Sequence, residues 1–163
     1  MKKQIFVVFL LAFAIDLIAQ DTVPGEKKFM VGAGPRIGIP QRDFKRVNNF
    51  AVGLDVQGEA MFTSFFSGVI TTGFTYFPRK SQQVGAVSRY VIPVMGGLRI
   101  YPVKAFFLGG KAGIAMGSFY NLNYEPQIGV NTERFQLALG YNVIFLTDYR
   151  YDHLGLNFIY KFR

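Results

Sequence analysis

The chain predicts an all-β protein: an eight-stranded antiparallel up-and-down transmembrane β-barrel, preceded by a cleavable signal peptide. Three observations predict it. Apolar residues recur at every second position in eight consecutive segments, which is the period of a strand with two unlike faces. The second face of those segments is too poor in charge to face water. Aromatic residues gather at both sets of strand ends, as the two interfaces of a bilayer select.

The last segment is the clearest. Leu154, Leu156, Phe158, Tyr160 and Phe162 alternate with Gly155, Asn157, Ile159 and Lys161. An outer face that is wholly apolar and ends in aromatics implies lipid on one side and a polar interior on the other.

Taken in order, the chain opens on Lys2 and Lys3, then an 11-residue apolar run from Ile5 to Ile15. Asp16 ends the run short of the ~20 residues a spanning helix needs, so residues 1–19 are expected to be a signal peptide, cut after Ala19 or Gln20. Residues 20–163 then form one barrel domain. Removing two lysines and one aspartate with the leader changes the net charge from +8 to +7. An exported, strand-rich chain without a basic helix argues against nucleic acid as the partner of that charge and favours an anionic membrane surface. The absence of cysteine excludes disulfides, thiolate metal sites and a lipoprotein anchor.

Strands are expected near 28–40, 50–62, 65–77, 89–101, 105–118, 122–130, 134–145 and 152–162. In the second, Val52, Leu54 and Val56 alternate with Gly53, Asp55, Gln57 and Glu59. In the fourth, Ile92, Val94, Leu98 and Ile100 alternate with Met95, Gly97 and Arg99, and in the seventh Leu137 and Leu139 oppose Gln136, Ala138 and Gly140. Links at 63–64, 102–104 and 131–133 are tight; those at 41–49, 78–88, 119–121 and 146–151 are mostly longer. Short periplasmic turns and longer outer loops are the asymmetry expected of such barrels, and an even strand number puts both termini in the periplasm. Pro35, Pro93 and Pro126 fall inside strands, where a missing N–H has to coincide with a bulge or a strand end.

A soluble barrel also alternates, with its apolar face inward and a charged face in water. Here the second face carries only Arg36, Asp55, Glu59, Arg89, Arg99, Lys111, Glu125 and Lys161 among glycines and small polar residues. That mixture suits the filled lumen of eight strands. The girdles are expected at Phe29, Phe62, Phe66, Tyr101, Phe106, Phe135 and Phe162 on one side. Phe50, Tyr76, Tyr90, Tyr120, Phe145 and Tyr151 make the other.

The closing Gly155-Leu-Asn-Phe-Ile-Tyr-Lys-Phe162, with Pro126-Gln-Ile-Gly-Val130 and Phe135-Gln-Leu-Ala-Leu-Gly-Tyr141, resembles the small bacterial outer-membrane β-barrel family (OmpX-like, OmpA-transmembrane-domain-like, porin-like barrels). The resemblance covers the whole mature chain. It implies residence in the outer membrane of a Gram-negative bacterium. It also implies that Gly155, Phe158, Tyr160 and Phe162 are the terminal signal read by the barrel-assembly machinery. The family usually ends on the aromatic itself, whereas Arg163 follows here.

Arg36, Asp55, Glu59, Arg99, Lys111, Glu125 and Lys161 share lumenal parity. They line a selective pore or stitch a closed plug, and an interior with room for little besides side chains favours the plug. Arg42, Lys45, Arg46, Arg79 and Lys80 form a basic rim, open equally to lipopolysaccharide phosphates and to plain solvation. His153, the only histidine, is expected inward near the outer rim, with Asp148, Asp152, Ser88 and Ser118 within plausible reach. A Ser–His–Asp set there could activate a hydroxyl, but such residues occur in any loop-rich rim. The glycines at 32–38 and 109–110 lack the spacing of a nucleotide loop. The expectation is therefore a monomeric, non-enzymatic scaffold without cofactor or metal, presenting surface loops for envelope integrity or surface interaction. A narrow solute channel is the alternative, and a lipid-modifying or proteolytic enzyme using His153 is the third reading.

Overall fold

The computed structural model describes residues 29–42, 44–80, 89–118, 120–145 and 150–162; the expected signal peptide lies outside them. The strands are β1 (Phe29–Pro40), β2 (Ala51–Met61), β3 (Phe66–Phe77), β4 (Arg89–Val103), β5 (Phe106–Gly117), β6 (Asn121–Asn131), β7 (Phe135–Phe145) and β8 (Arg150–Phe162), with one short helix, α1 (Phe44–Val47), between β1 and β2. Each strand pairs antiparallel with the next, and β8 returns to β1, closing the barrel. Closure leaves no unpaired edge, the condition for sheet in a hydrocarbon environment.

Alternation decides which way each side chain points, and the result is the reverse of a soluble core. Leu54 is 66% exposed on the outer wall while its neighbour Asp55 is 1% exposed inside. Val52, Leu137, Leu139 and Phe158 face outward, whereas Gln57, Arg99, Lys111 and Lys161 are buried. No helix among the described residues is long and apolar enough to cross a membrane.

Tyr101 and Tyr151, expected in the girdles, point inward instead. Each has the parity of an inward neighbour two residues away, Arg99 and His153 respectively. The Tyr101 hydroxyl donates to the Glu59 carboxylate and accepts from Asn131 Nδ2 at 2.8 Å. The Tyr151 ring packs against Phe44.

The strand prolines follow one rule. Pro35 keeps register with Leu54 of β2, but the β1–β8 ladder skips from Ala33↔Tyr160 to Arg36↔Asn157. Pro93 pairs with Ala115 of β5, while the β3–β4 ladder jumps from Thr72↔Val94 to Thr75↔Val91. Pro126 sits opposite Gly110, and the β6–β7 ladder skips from Tyr124↔Val143 to Gln127↔Gly140. Each proline thus stands at a ladder gap on one side, where its missing N–H is not called upon.

Candidate functional site

The lumen is filled in layers. At the end bearing the short turns, Tyr101, Phe107 and Ala138 form an apolar floor, with Met61 against it. Above the floor, Arg99 Nη1 donates to Glu59 Oε2 at 3.0 Å and Gln136 Oε1 at 2.9 Å, and Nη2 donates to Gln57 Oε1 at 2.9 Å. Its guanidinium carbon lies 4.4 Å from the Phe107 ring centroid, a cation–π contact that β5 supplies from below. Ser67 Oγ donates to the same Glu59 carboxylate at 2.6 Å.

The next layer joins five strands. Arg36 Nε lies 2.8 Å from Asp55 Oδ2 and its Nη2 3.1 Å from Glu125 Oε2, while Lys111 Nζ lies 2.9 Å from Glu125 Oε1. Asn142 Nδ2 adds a bond to Glu125 at 3.0 Å. Two layers therefore hold three cations and three carboxylates, which is the pairing that burial of charge demands. Lys161 stands apart, its Nζ donating to Thr132 O at 2.5 Å by the short-turn end.

At the far end the mouth is apolar. Phe44 of α1 folds in among Phe77, Val91, Ala115, Ile144 and Tyr151, with Val47 against them. Asn48 Nδ2 holds the loop down, donating to Phe77 O at 3.1 Å and Pro78 O at 2.7 Å. His153 lies under this cap, 1% exposed, with its ring edge-on to Phe77 at 5.4 Å. Neither of its nitrogens has a hydrogen-bond partner among the described residues. The hydroxyl and carboxylate expected beside it do not assemble: Ser118 Oγ accepts from Tyr90 N at 3.1 Å, and Asp152 is bound by arginines. Ser88 and Asp148 lie outside the described residues. No group of three metal-ligating side chains occurs among the described residues.

The basic residues ring the capped mouth. Arg42, Lys45, Arg46 and Arg79 are exposed and Lys80 is half-buried. The backbone ties the two basic loops together, with Lys80 N donating to Val47 O at 3.0 Å and an isolated bridge between Asn48 and Arg79. Arg42 has φ of 51°, a left-handed conformation that carries a steric cost for a residue with Cβ. It sets the guanidinium Nε 3.2 Å from Asp152 Oδ2. Arg150, absent from the sequence expectation, closes on the same carboxylate with Nη2 donating to Oδ2 at 2.9 Å, and Tyr141 donates its hydroxyl there at 2.9 Å. At the C-terminal strand, Phe158, Tyr160 and Phe162 face outward and Gly155 inward.

Sequence reasoning missed the cap itself. Phe77 ends β3 on its inward parity, but Phe44 and Asn48 lie in a loop, where no periodicity assigns a side, and only Phe44's isolation among Arg42, Lys45 and Arg46 hints that it turns inward.

No protein-family model matches the chain, and no curated protein matches it. Solved structures do match. The crystal structure of Ail, the attachment invasion locus protein of Yersinia pestis, aligns over 85% of this chain and 100% of its own, with 14% identity and a TM-score of 0.63; the same figures hold for Ail in complex with the heparin analogue sucrose octasulfate. A de novo designed transmembrane β-barrel aligns over 85% of this chain and 98% of its own, with 11% identity and a TM-score of 0.55. The fold is that of the small outer-membrane β-barrels.

Proposed function

We propose, from the fold shared with those barrels, that this chain is an integral outer-membrane protein of a Gram-negative bacterium acting as a closed, non-enzymatic scaffold that presents short surface loops. The observation that carries the membrane assignment is the outer wall, apolar across all eight strands. The observation that carries the closed reading is the stacking of two neutral-sum charge layers between an apolar floor and an apolar cap. A pore needs a continuous wet path, and these layers fill it with paired side chains.

The chain is exported as a precursor, loses residues 1–19, and inserts as a monomer with both ends in the periplasm. Support for that orientation is the sharing of one end by the first strand's start, the last strand's finish and the short turns. Gly155, Phe158, Tyr160 and Phe162 serve as the signal for the assembly machinery. At the opposite end, Arg42, Lys45, Arg46, Arg79 and Lys80 contact lipopolysaccharide phosphates, read out by the lipopolysaccharide that co-purifies with the barrel.

Planar-bilayer recording tests the closed scaffold against a narrow channel. Purified full-length protein inserted in the bilayer should give no large, stable conductance steps at any polarity. Reproducible unitary steps overturn the closed reading in favour of solute passage.

A further inference from the structure

The outer wall carries a groove of about 430 Å³, lined chiefly by Leu108, Pro126, Ile128, Leu139, Tyr141 and Leu154. A bare strip of wall lies beside it. Gly110, the partner of Pro126 across β5 and β6, faces outward with no atom within 4 Å of where a Cβ would stand, and the β6–β7 ladder is interrupted beside Pro126. The wall is therefore thin where its neighbours carry full side chains.

A charged cluster lies beyond the groove, joined to it by Tyr141. Tyr141 lines the groove and donates its hydroxyl to Asp152, the carboxylate that Arg42 and Arg150 share. Two guanidinium groups on one carboxylate leave a net positive charge. The Arg42 side chain is 67% exposed and that of Arg150 37%, so both keep N–H groups for another anion. An open apolar groove on a lipid-facing wall, with an unbalanced cation pair beyond its Tyr141 end, matches one chemistry: an acyl chain below and a phosphate above.

We propose that this groove is a binding site for a single anionic membrane lipid, with an acyl chain along Pro126, Ile128 and Leu139 and the headgroup phosphate on Arg42 and Arg150. The site rests on the membrane reading of the outer wall but not on the closed lumen. It adds Arg150, Tyr141 and a defined acyl path to the diffuse basic rim.

The chain has no tryptophan, so one introduced residue is a clean reporter. Leu156→Trp places it on β8 opposite Leu139, beside the groove without filling it, and Ile70→Trp places it on the β3 wall. Each full-length variant is reconstituted in phosphatidylcholine vesicles containing a minor fraction of brominated phosphatidylglycerol. The expected result is quenching at position 156 equivalent to about fivefold enrichment of the anionic lipid over its bulk fraction, the effect of one net cationic contact at a membrane surface. Position 70 should report the bulk fraction alone. Brominated phosphatidylcholine should quench both equally.

Adding Gly110→Phe, whose ring starts in open space beside Pro126, or the pair Arg42→Gln and Arg150→Gln, should bring position 156 down to the level of position 70. Equal quenching by the anionic lipid at both positions overturns the groove and leaves the membrane reading intact. No quenching at either position by any brominated lipid overturns both.

Discussion

At the scale of single residues, the interior is held by a few side chains that each satisfy several others. Glu59 is the sharpest case, because Arg99, Ser67 and Tyr101 all converge on its carboxylate. Removing the cation strands a buried charge, whereas removing both charges does not. Arg99→Leu is expected to destabilise the barrel by about 3–5 kcal/mol, measured by reversible urea unfolding in detergent or vesicles with the gel-mobility difference between folded and unfolded barrel as readout. The double variant Glu59→Gln with Arg99→Leu should recover a good part of the loss. A double variant no better than the single one would show that packing on Phe107, rather than the ion pair, sets the stability of this layer. The inward parity of Arg99 and Glu59 was legible in the sequence, since alternation alone gives it. Their partnership was not, because it depends on the stagger between β2 and β4, which are not neighbours in the sheet, and on Gln136 reaching across the lumen.

At the scale of the strand, glycines with the same name do opposite things. A Cβ on Gly34 would lie 1.9 Å from Phe158 O, and one on Gly113 2.0 Å from Val94 O. On Gly96, facing outward, it would meet nothing within 4 Å. Gly34→Ala and Gly113→Ala should therefore each cost about 1–3 kcal/mol through forced backbone shifts, while Gly96→Ala should stay within about 0.5 kcal/mol. The same urea titration separates them, and a large loss at Gly96 would contradict the outward placement of that position. Strand number, order and bounds to within two residues were legible because a period of two persists in every segment. What periodicity could not show was α1, a single turn whose Phe44 is fixed by packing and not by pattern. The prolines were visible as a conflict, and its resolution needed the ladder gaps of the folded sheet. Tyr101 and Tyr151 leave the girdles because parity, not a place at the strand end, decides which way a side chain points.

At the scale of the whole molecule, charge is sorted by location. The lumenal layers sum to zero, so the excess of the chain is carried by its rims and loops. Near an anionic lipid surface each Lys or Arg is worth about 1 kcal/mol. Replacing Arg42, Lys45, Arg46, Arg79 and Lys80 by glutamine together should lower the lipopolysaccharide retained per barrel more than about tenfold by that measure, quantified after outer-membrane extraction at low salt. Unchanged lipid content would assign those residues to simple solvation. The sequence showed this rim as a list of cations. It could not show that Arg42 is partly spent on Asp152 or that Arg150 joins it, because both facts depend on where the loop ends meet β8. The pairing of β1 with β8 has a consequence for biogenesis. The two staves that complete the cylinder are the first and the last of the eight in chain order, so no closed intermediate forms before β8 is made. Their seam is also broken at Gly34 and Pro35, the residues opposite the aromatic tail. Sealing thus waits on β8, and a barrel that lacks it has no cylinder to fall back on.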